Sequence, residues 1–250
     1  MTSSRLTLAL AVISTLATMG TAHAALIASG SVGGAPSGVI LDNLDWLSTG
    51  SGGGLSTQSG IKVNFTPNAQ AVTGAVGGQY AAPWLSGNNG TGFGNPIGSA
   101  NQADGADATI YATTGSTGSA AGAAVEILLP GYNSGAAYSY FGLLWGSVDD
   151  YNTLSFYNGA SLVGSLTGVN VVNSPNGDQG VNGTLYVNIS SNMPFNRLVA
   201  TSSQFAFEFD NLAFSRTTPT PEPGTLALLG LGLLGLGFAR PRGKAIATPR

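Results

Sequence analysis

Carboxylates are the residues of this chain that could do chemistry. The 250 residues contain no cysteine, and the single histidine, His23, lies close to the N-terminus. The chain after His23 contains neither histidine nor cysteine. This excludes, for that part of the chain, a Ser-His-Asp triad, a Cys–His nucleophile and an ordinary Cys/His zinc site. Aspartate and glutamate remain, and they act as pairs in glycoside hydrolysis or as oxygen ligands of hard cations.

The first acidic pair stands beside aromatic residues. Asp149 and Asp150 follow Trp145 and directly precede Tyr151. Aspartate is favoured in turns, so a strand-ending turn is the simpler interpretation. The alternative is a weak ligand site, in which the rings stack on a sugar and the carboxylates bind its hydroxyls or a Ca²⁺ ion.

Two further pairs lie in segments rich in small residues. Asp104 and Asp107 are three residues apart, and Asp42 and Asp45 shortly precede Trp46. Neither spacing matches a known calcium loop, so solvated loops are expected. Calcium ligation is the alternative for both pairs.

The last acidic pair lies in a segment in which phenylalanine occupies every second position. Phe205, Phe207 and Phe209 would share one face of a strand, so Glu208 and Asp210 are expected on its solvent face. A glycosidase pair is the alternative, since two suitably separated carboxylates suffice for that chemistry.

Short alternating segments must position these acids. Residues 61–65, 125–129, 138–145, 185–189 and 205–209 predict strands, and Asn158-Gly159 between two apolar stretches predicts a hairpin. The 38 glycines disfavour long helices. We therefore predict an all-β domain over residues 25–216, built as a β-sandwich resembling a jelly roll, with loops at 48–60 and 86–122.

The charge of this domain limits its partners. It holds all the acidic residues except Glu222, but only three basic ones, Lys62, Arg197 and Arg216. Nucleic-acid binding depends on basic residues that meet phosphates, so a nucleic-acid partner is not expected. Neutral sugars and cations remain compatible with the charge.

The N-terminus predicts export. Arg5 precedes an apolar stretch over residues 6–19, and Ala22 and Ala24 satisfy the small-x-small cleavage rule. Residues 1–24 are therefore predicted to be a signal peptide that engages the Sec machinery and signal peptidase.

The C-terminus predicts a membrane segment. A Pro/Thr linker over residues 217–220 leads to Pro221, Glu222, Pro223 and Gly224, then to a hydrophobic helix over 224–239 and a basic tail over 240–250. The basic stop consists of Arg240, Arg242 and Lys244. An apolar stretch of this length is short for a bilayer of about 30 Å, so a transient membrane tether is expected, with the basic end inside.

This tail resembles the PEP-CTERM sorting segment of Gram-negative bacteria, which is also catalogued as an ice-binding protein C-terminal domain. The resemblance rests on the Pro-Glu-Pro-Gly motif, the Leu/Gly/Ala span and the arginines around Pro241. It implies an exosortase as partner, tethering to the inner membrane in transit, and transfer to the cell surface or matrix. Such systems accompany exopolysaccharide and biofilm formation.

Residues 122–215 resemble a family of exosortase-dependent surface proteins. The matching stretches are WGSVDDYNTLSFYNG from Trp145 and FEFDNLA from Phe207. The resemblance implies no catalytic residue, so a non-enzymatic surface protein without a required cofactor is expected. A carboxylate-based glycoside hydrolase, a carbohydrate- or Ca²⁺-binding module, and an ice or mineral binder are the alternatives.

Overall fold

The part of the chain that the structure describes contains fifteen β-strands and two 3-10 turns. The structure is a computed structural model, and it describes residues 25–31, 34–85, 105–115, 119, 121–180 and 182–219. No helix among these residues is long and apolar enough to cross a bilayer. The predicted signal peptide and the segment 221–250 lie outside the described residues.

The strands are short before residue 138 and longer after it, where the alternating stretches are longest. Their bounds are β1 Leu26–Ser31, β2 Ile40–Asp42, β3 Gly54–Leu55, β4 Lys62–Phe65, β5 Ala69–Val72, β6 Trp84–Leu85, β7 Gly105–Ala106, β8 Tyr111–Thr114, β9 Ala124–Leu128, β10 Tyr138–Gly146, β11 Asn152–Asn158, β12 Ser161–Thr167, β13 Leu185–Phe195, β14 Arg197–Ser202 and β15 Glu208–Ser215. The 3-10 turns are Tyr132–Ser134 and Gly168–Asn170.

Two antiparallel sheets pack face to face. Within the described residues, the first sheet has the order β1-β13-β10-β15-β8-β5, with β2 also paired to β15. The second has the order β12-β11-β14-β9-β4-β3, and β6 and β7 form a separate small ribbon. This arrangement confirms the predicted all-β sandwich.

The last eight strands have jelly-roll connectivity. They pair from the inside outwards as β11 with β12, β10 with β13, β9 with β14, and β8 with β15. Successive pairs alternate between the two sheets. A long antiparallel hairpin wound over in this way is the double Greek key of a jelly roll.

Aromatic side chains fill the space between the sheets. Phe141 of the first sheet meets Phe156 of the second edge to face, with ring centroids 6.3 Å apart, and Phe156 also contacts Phe195 at 5.0 Å. All three are fully buried. Burial of such a side chain stabilises a fold by roughly 1.5–3 kcal/mol, so this core can hold the chain without disulfides.

The outer face of the first sheet is covered as well. Tyr140, Leu144 and Tyr186 form a second apolar cluster with Leu85 and Ala213. Because loops cover this face, β10 is buried on both sides from Tyr140 to Gly146. Polar side chains on this face, which a half-exposed strand would hold in water, are therefore buried too.

The predicted hairpin is present, and a segment predicted to be a loop contains a strand. β11 and β12 pair from Asn158 with Ser161, and Gly159 takes the left-handed φ of 59° at the first position of the two-residue turn. By contrast, Tyr111–Thr114 lies inside the segment 86–122 that was predicted as a loop, and it forms buried strand β8. For these four residues the prediction was wrong, because a strand that is buried on both faces shows no alternation.

Candidate ligand-binding cleft

An open cleft lies where four loops meet at one end of the sandwich. Its volume is about 270 Å³. The loops follow β5, β10, β12 and β14, and jelly-roll winding brings them to the same end. The lining residues are Gly78, Gln79, Tyr80, Ser147, Tyr151, Gly177, Gln179, Gln204, Phe205, Ala206 and Glu208.

Aromatic and amide side chains dominate the lining. Tyr151 is half-buried and donates its hydroxyl to the carbonyl of Phe205 at 3.2 Å, which fixes the ring beside the cleft. Phe205 is 38% exposed, so part of its apolar side chain is open to the cleft. Rings offer faces for stacking, and glutamine amides both donate and accept hydrogen bonds.

A shallower groove continues from this cleft. It is lined by Ser119, Ala121, Gly122 and residues 202–205, and it has a volume of about 700 Å³. Gln204 and Phe205 border both depressions. The two together give an extended surface, which suits a chain-like ligand better than a compact one.

Glu208 lies at the base of the cleft and is 2% exposed. Its Oε1 accepts the backbone N–H of Ala81 at 2.9 Å, and its Oε2 accepts the hydroxyl of Ser147 at 2.8 Å. Burial raises the pKa of this carboxyl to about 7, although the two hydrogen bonds act in the opposite direction. The prediction that Glu208 faces solvent is therefore wrong.

Asp149 lies just behind the cleft and is 2% exposed. Its Oδ1 accepts the N–H of Asn152 at 3.2 Å, which closes the turn after β10. Burial raises the pKa of Asp149 to about 7, the nearby hydroxyl of Tyr151 lowers it, and Asp150 raises it slightly. Asp150 is exposed. The turn interpretation of this pair accordingly matches the backbone geometry.

Trp145 is not available to a ligand. It is fully buried, and its ring stacks on Phe207 with centroids 4.4 Å apart in the core. The pattern around Trp145 suggested a ligand site, and of its four members only Tyr151 lines the cleft. The period-2 alternation of β10 turns Trp145 inward, towards the second sheet.

Two buried carboxyls, those of Glu208 and Asp149, lie beside the cleft. Glycosidases separate the pKa values of their two carboxyls, so that one donates a proton while the other stays ionised. Here burial raises the pKa of both Glu208 and Asp149 to about 7. Both oxygens of Glu208 also hold protein groups. These hydrogen bonds fix the loops of Ala81 and Ser147 against Glu208, which suits a rigid binding surface.

Asp42 and Asp107 are buried and Asp45 is half-buried, contrary to the expected solvated loops. Asp42 accepts hydrogen bonds from Leu44 N–H, from the ring nitrogen of Trp46 and from the hydroxyl of Ser59, so it holds its own loop together. Asp107 is 2% exposed and Asp210 is fully buried. Asp210 was also expected to face solvent, and loops over the first sheet are the reason that it does not. Asp104 lies outside the described residues.

Most cleft residues could not be found from the sequence. Gln79, Tyr80, Gln179, Gln204 and Phe205 come from loops far apart in the chain. No spacing rule links such loops, because only the winding of the strands brings them together.

The comparisons with known proteins concern the C-terminal tail. Residues 219–242 match the family described as PEP-CTERM protein-sorting motif. This confirms the resemblance of the tail and marks the chain for exosortase-dependent sorting and export. No curated protein matches the chain. The similarity of residues 122–215 to exosortase-dependent surface proteins stays a prediction.

Proposed function

We propose that this protein is a non-enzymatic cell-surface or matrix protein that binds neutral extracellular polysaccharide in the cleft at the end of its jelly roll. The observation that carries the proposal is the lining of this cleft, which contains three aromatic rings and three glutamine amides. Aromatic faces cover the apolar faces of sugar rings, and amides reach the hydroxyls.

The charge of the cleft favours neutral over anionic polymers. No lysine or arginine lines the cleft or the adjoining groove among the described residues. Glu208 adds an ionisable carboxyl at the base. A uronic-acid polymer would therefore find no positively charged side chain in the cleft, and the carboxylate of Glu208 would repel it. A neutral polymer would not be repelled.

The sorting motif supplies the location. An exported chain would be tethered to the inner membrane of a Gram-negative cell by residues 224–239 and then passed on by exosortase. The domain would thereby reach the surface where exopolysaccharide and biofilm matrix assemble. Signal peptidase and the Sec machinery are the partners proposed for the N-terminus.

Affinity electrophoresis of the full-length chain in detergent tests the binding proposal. Dextran in the gel should retard the protein, while alginate of equal mass concentration should not. Tyr151→Ala and Phe205→Ala should each reduce the retardation at least tenfold. Leu162→Ala is the matched control, because Leu162 is 60% exposed on a different strand pair and should bind normally. Equal retardation of all variants would refute the cleft as the site.

A carboxylate-based hydrolase is the alternative, since Glu208 lies in the cleft with a pKa near neutrality. The same polymers should then release reducing ends on long incubation, and Glu208→Gln should abolish the release. We expect no release from either polymer above that of the Glu208→Gln variant.

The sorting proposal is tested separately by the intact mass of the protein from its own cells. The wild-type protein should end near residues 221–224. Replacement of Pro221, Glu222 and Pro223 by alanine should leave a complete tail in the membrane fraction. A complete tail in both proteins would instead mean that the short span is a permanent anchor.

A further inference from the structure

Three aspartates, one from a strand and two from loops, converge on the outer face of the first sheet. Asp210 lies on β15, and Asp107 follows β7. Asp45 follows β2, whose residue Asp42 pairs with Leu212, so the strand pairing delivers the turn of Asp45 to the neighbourhood of Asp210. This site is distinct from the cleft and independent of the proposed function.

The carboxyl oxygens at the centre of this group have no hydrogen bond of normal geometry, although the N–H of Asn211 and the carboxyl of Asp107 both lie close to Asp210. Asp210 is fully buried, and neither of its carboxylate oxygens accepts a hydrogen bond of normal geometry. Asp107 is in the same state at Oδ2. Buried carboxylate oxygens without donors or a counter-charge are strongly disfavoured, so either a positive group or a proton is expected between them.

The outer oxygens, in contrast, are fixed by the loops. Asp107 Oδ1 accepts the N–H and the hydroxyl of Thr109 at 2.8 and 2.6 Å. Asp45 accepts the N–H of Ile110 at 3.2 Å and the amide of Asn43 at 2.6 Å. These bonds hold Asp107 with Oδ1 occupied and Oδ2 open, which is the arrangement of a preoriented ligand.

No basic side chain of the described residues supplies the missing charge. Arg197 pairs with Glu126 at 3.0 Å, and Arg216 lies over the ring of Tyr138. Lys62 is exposed on β4 of the opposite sheet. Within the part of the chain that the structure describes, this leaves a bound cation or a proton shared by the two carboxyls.

We propose that Asp107 and Asp210 bind a Ca²⁺ ion, with Asp45 adding negative charge beside them. All the available donors are oxygens, which suits a hard cation and excludes a thiolate- or imidazole-dependent metal. The described residues contain no set of three acidic, histidine or cysteine side chains already arranged to hold a metal. Backbone oxygens and water therefore complete the coordination, or Asp45 moves in.

The ion would cross-link segments of a chain that has no disulfides. It would join the loops after β2 and β7 to the buried strand β15, at the point where those loops cover the first sheet. Binding to the folded state alone raises stability in proportion to the logarithm of the free ion concentration. Thermal unfolding should therefore depend on calcium.

Calcium titration of the full-length chain in detergent, after removal of metal with EDTA, tests the proposal. We expect one equivalent to bind with a dissociation constant of about 10⁻⁴ to 10⁻³ M, and 10 mM CaCl₂ to raise the unfolding midpoint by about 3–10 °C. MgCl₂ at the same concentration should raise it less. Asp107→Asn and Asp210→Asn should each weaken binding at least tenfold.

Asp150→Asn is the matched control, because it removes one exposed aspartate from another loop and should leave calcium binding unchanged. The proposal is overturned if calcium and EDTA give the wild-type protein the same midpoint within 1 °C. In that case the carboxyls share a proton, and Asp210→Asn should be as stable as the wild-type protein. The wild-type comparison decides the matter even where a variant does not fold.

Discussion

Replacing Asp149 by asparagine should flatten the pH dependence of stability. Burial raises the pKa of Asp149 from its ordinary value of 3.8 to about 7. In the unfolded chain the pKa should return to about 3.9. Between these values the folded protein holds the proton more tightly, so the free energy of unfolding falls as pH rises from about 4 to about 7 and is level above.

The magnitude follows from the size of the shift. Each pH unit between the two pKa values is worth at most about 1.4 kcal/mol, which sets a ceiling of about 4 kcal/mol over the interval. Water in the adjoining cleft screens the charge, so we expect about half of this ceiling. The groups that face Asp149 are Tyr151, Asp150 and Glu208, and none carries a positive charge.

The assay is denaturant unfolding at several pH values from 4.5 to 7.5, with EDTA present to keep calcium constant. The stability of Asp149→Asn relative to the wild-type protein should rise by about 2 kcal/mol across this range. Asp150→Asn removes an equal charge from an exposed neighbour, and its relative stability should change by less than about 0.5 kcal/mol. Parallel curves for wild-type and Asp149→Asn proteins would refute the reasoning.

Three further predictions can be tested by denaturant unfolding. Phe156→Ala should lower the free energy of unfolding by about 3–5 kcal/mol, because the ring is fully buried between two others. Gly168→Ala should destabilise by more than about 2 kcal/mol, since a Cβ there would lie 2.0 Å from the carbonyl oxygen of Asp149, whereas Gly52→Ala, with nothing within 4 Å, should be neutral. Arg197→Ala should cost about 1 kcal/mol, because its partner Glu126 is partly exposed.

Contrary results would each identify a specific error. A loss below 1 kcal/mol for Phe156→Ala would mean that the two sheets do not pack through this ring. Equal stability of the Gly168 and Gly52 variants would place the loop of Asp149 elsewhere. A loss above 3 kcal/mol for Arg197→Ala would mean that the ion pair is better shielded than its exposure indicates.

The sequence itself was sufficient for the fold class. Alternation over 125–129 and 185–189 and the Asn-Gly signal at 158–159 all correspond to strands and a turn in the structure. These features are local, because the side-chain period of a strand and the conformation of a turn depend on neighbouring residues. The sorting motif is local for the same reason, being read from consecutive residues.

Tertiary structure decided which side chains are exposed. Glu208 and Asp210 alternate with phenylalanines as an exposed acidic row would, yet loops from residues 34–47, 76–85 and 105–110 cover that face and bury both. An alternating pattern of apolar and polar residues shows only that the two faces of a strand differ in polarity. It does not state which face meets water when a distant segment packs on the polar one.

The composition of both sites was likewise set by the winding of the strands. Tyr80, Tyr151 and Phe205 share a cleft, and Asp107 meets Asp210, because jelly-roll pairing places strands far apart in sequence side by side. The sequence by itself determined export, an acidic β-domain and carboxylates as its available chemistry. Which carboxylates meet, and which of them lose water, depended on long-range pairing that no local pattern encodes.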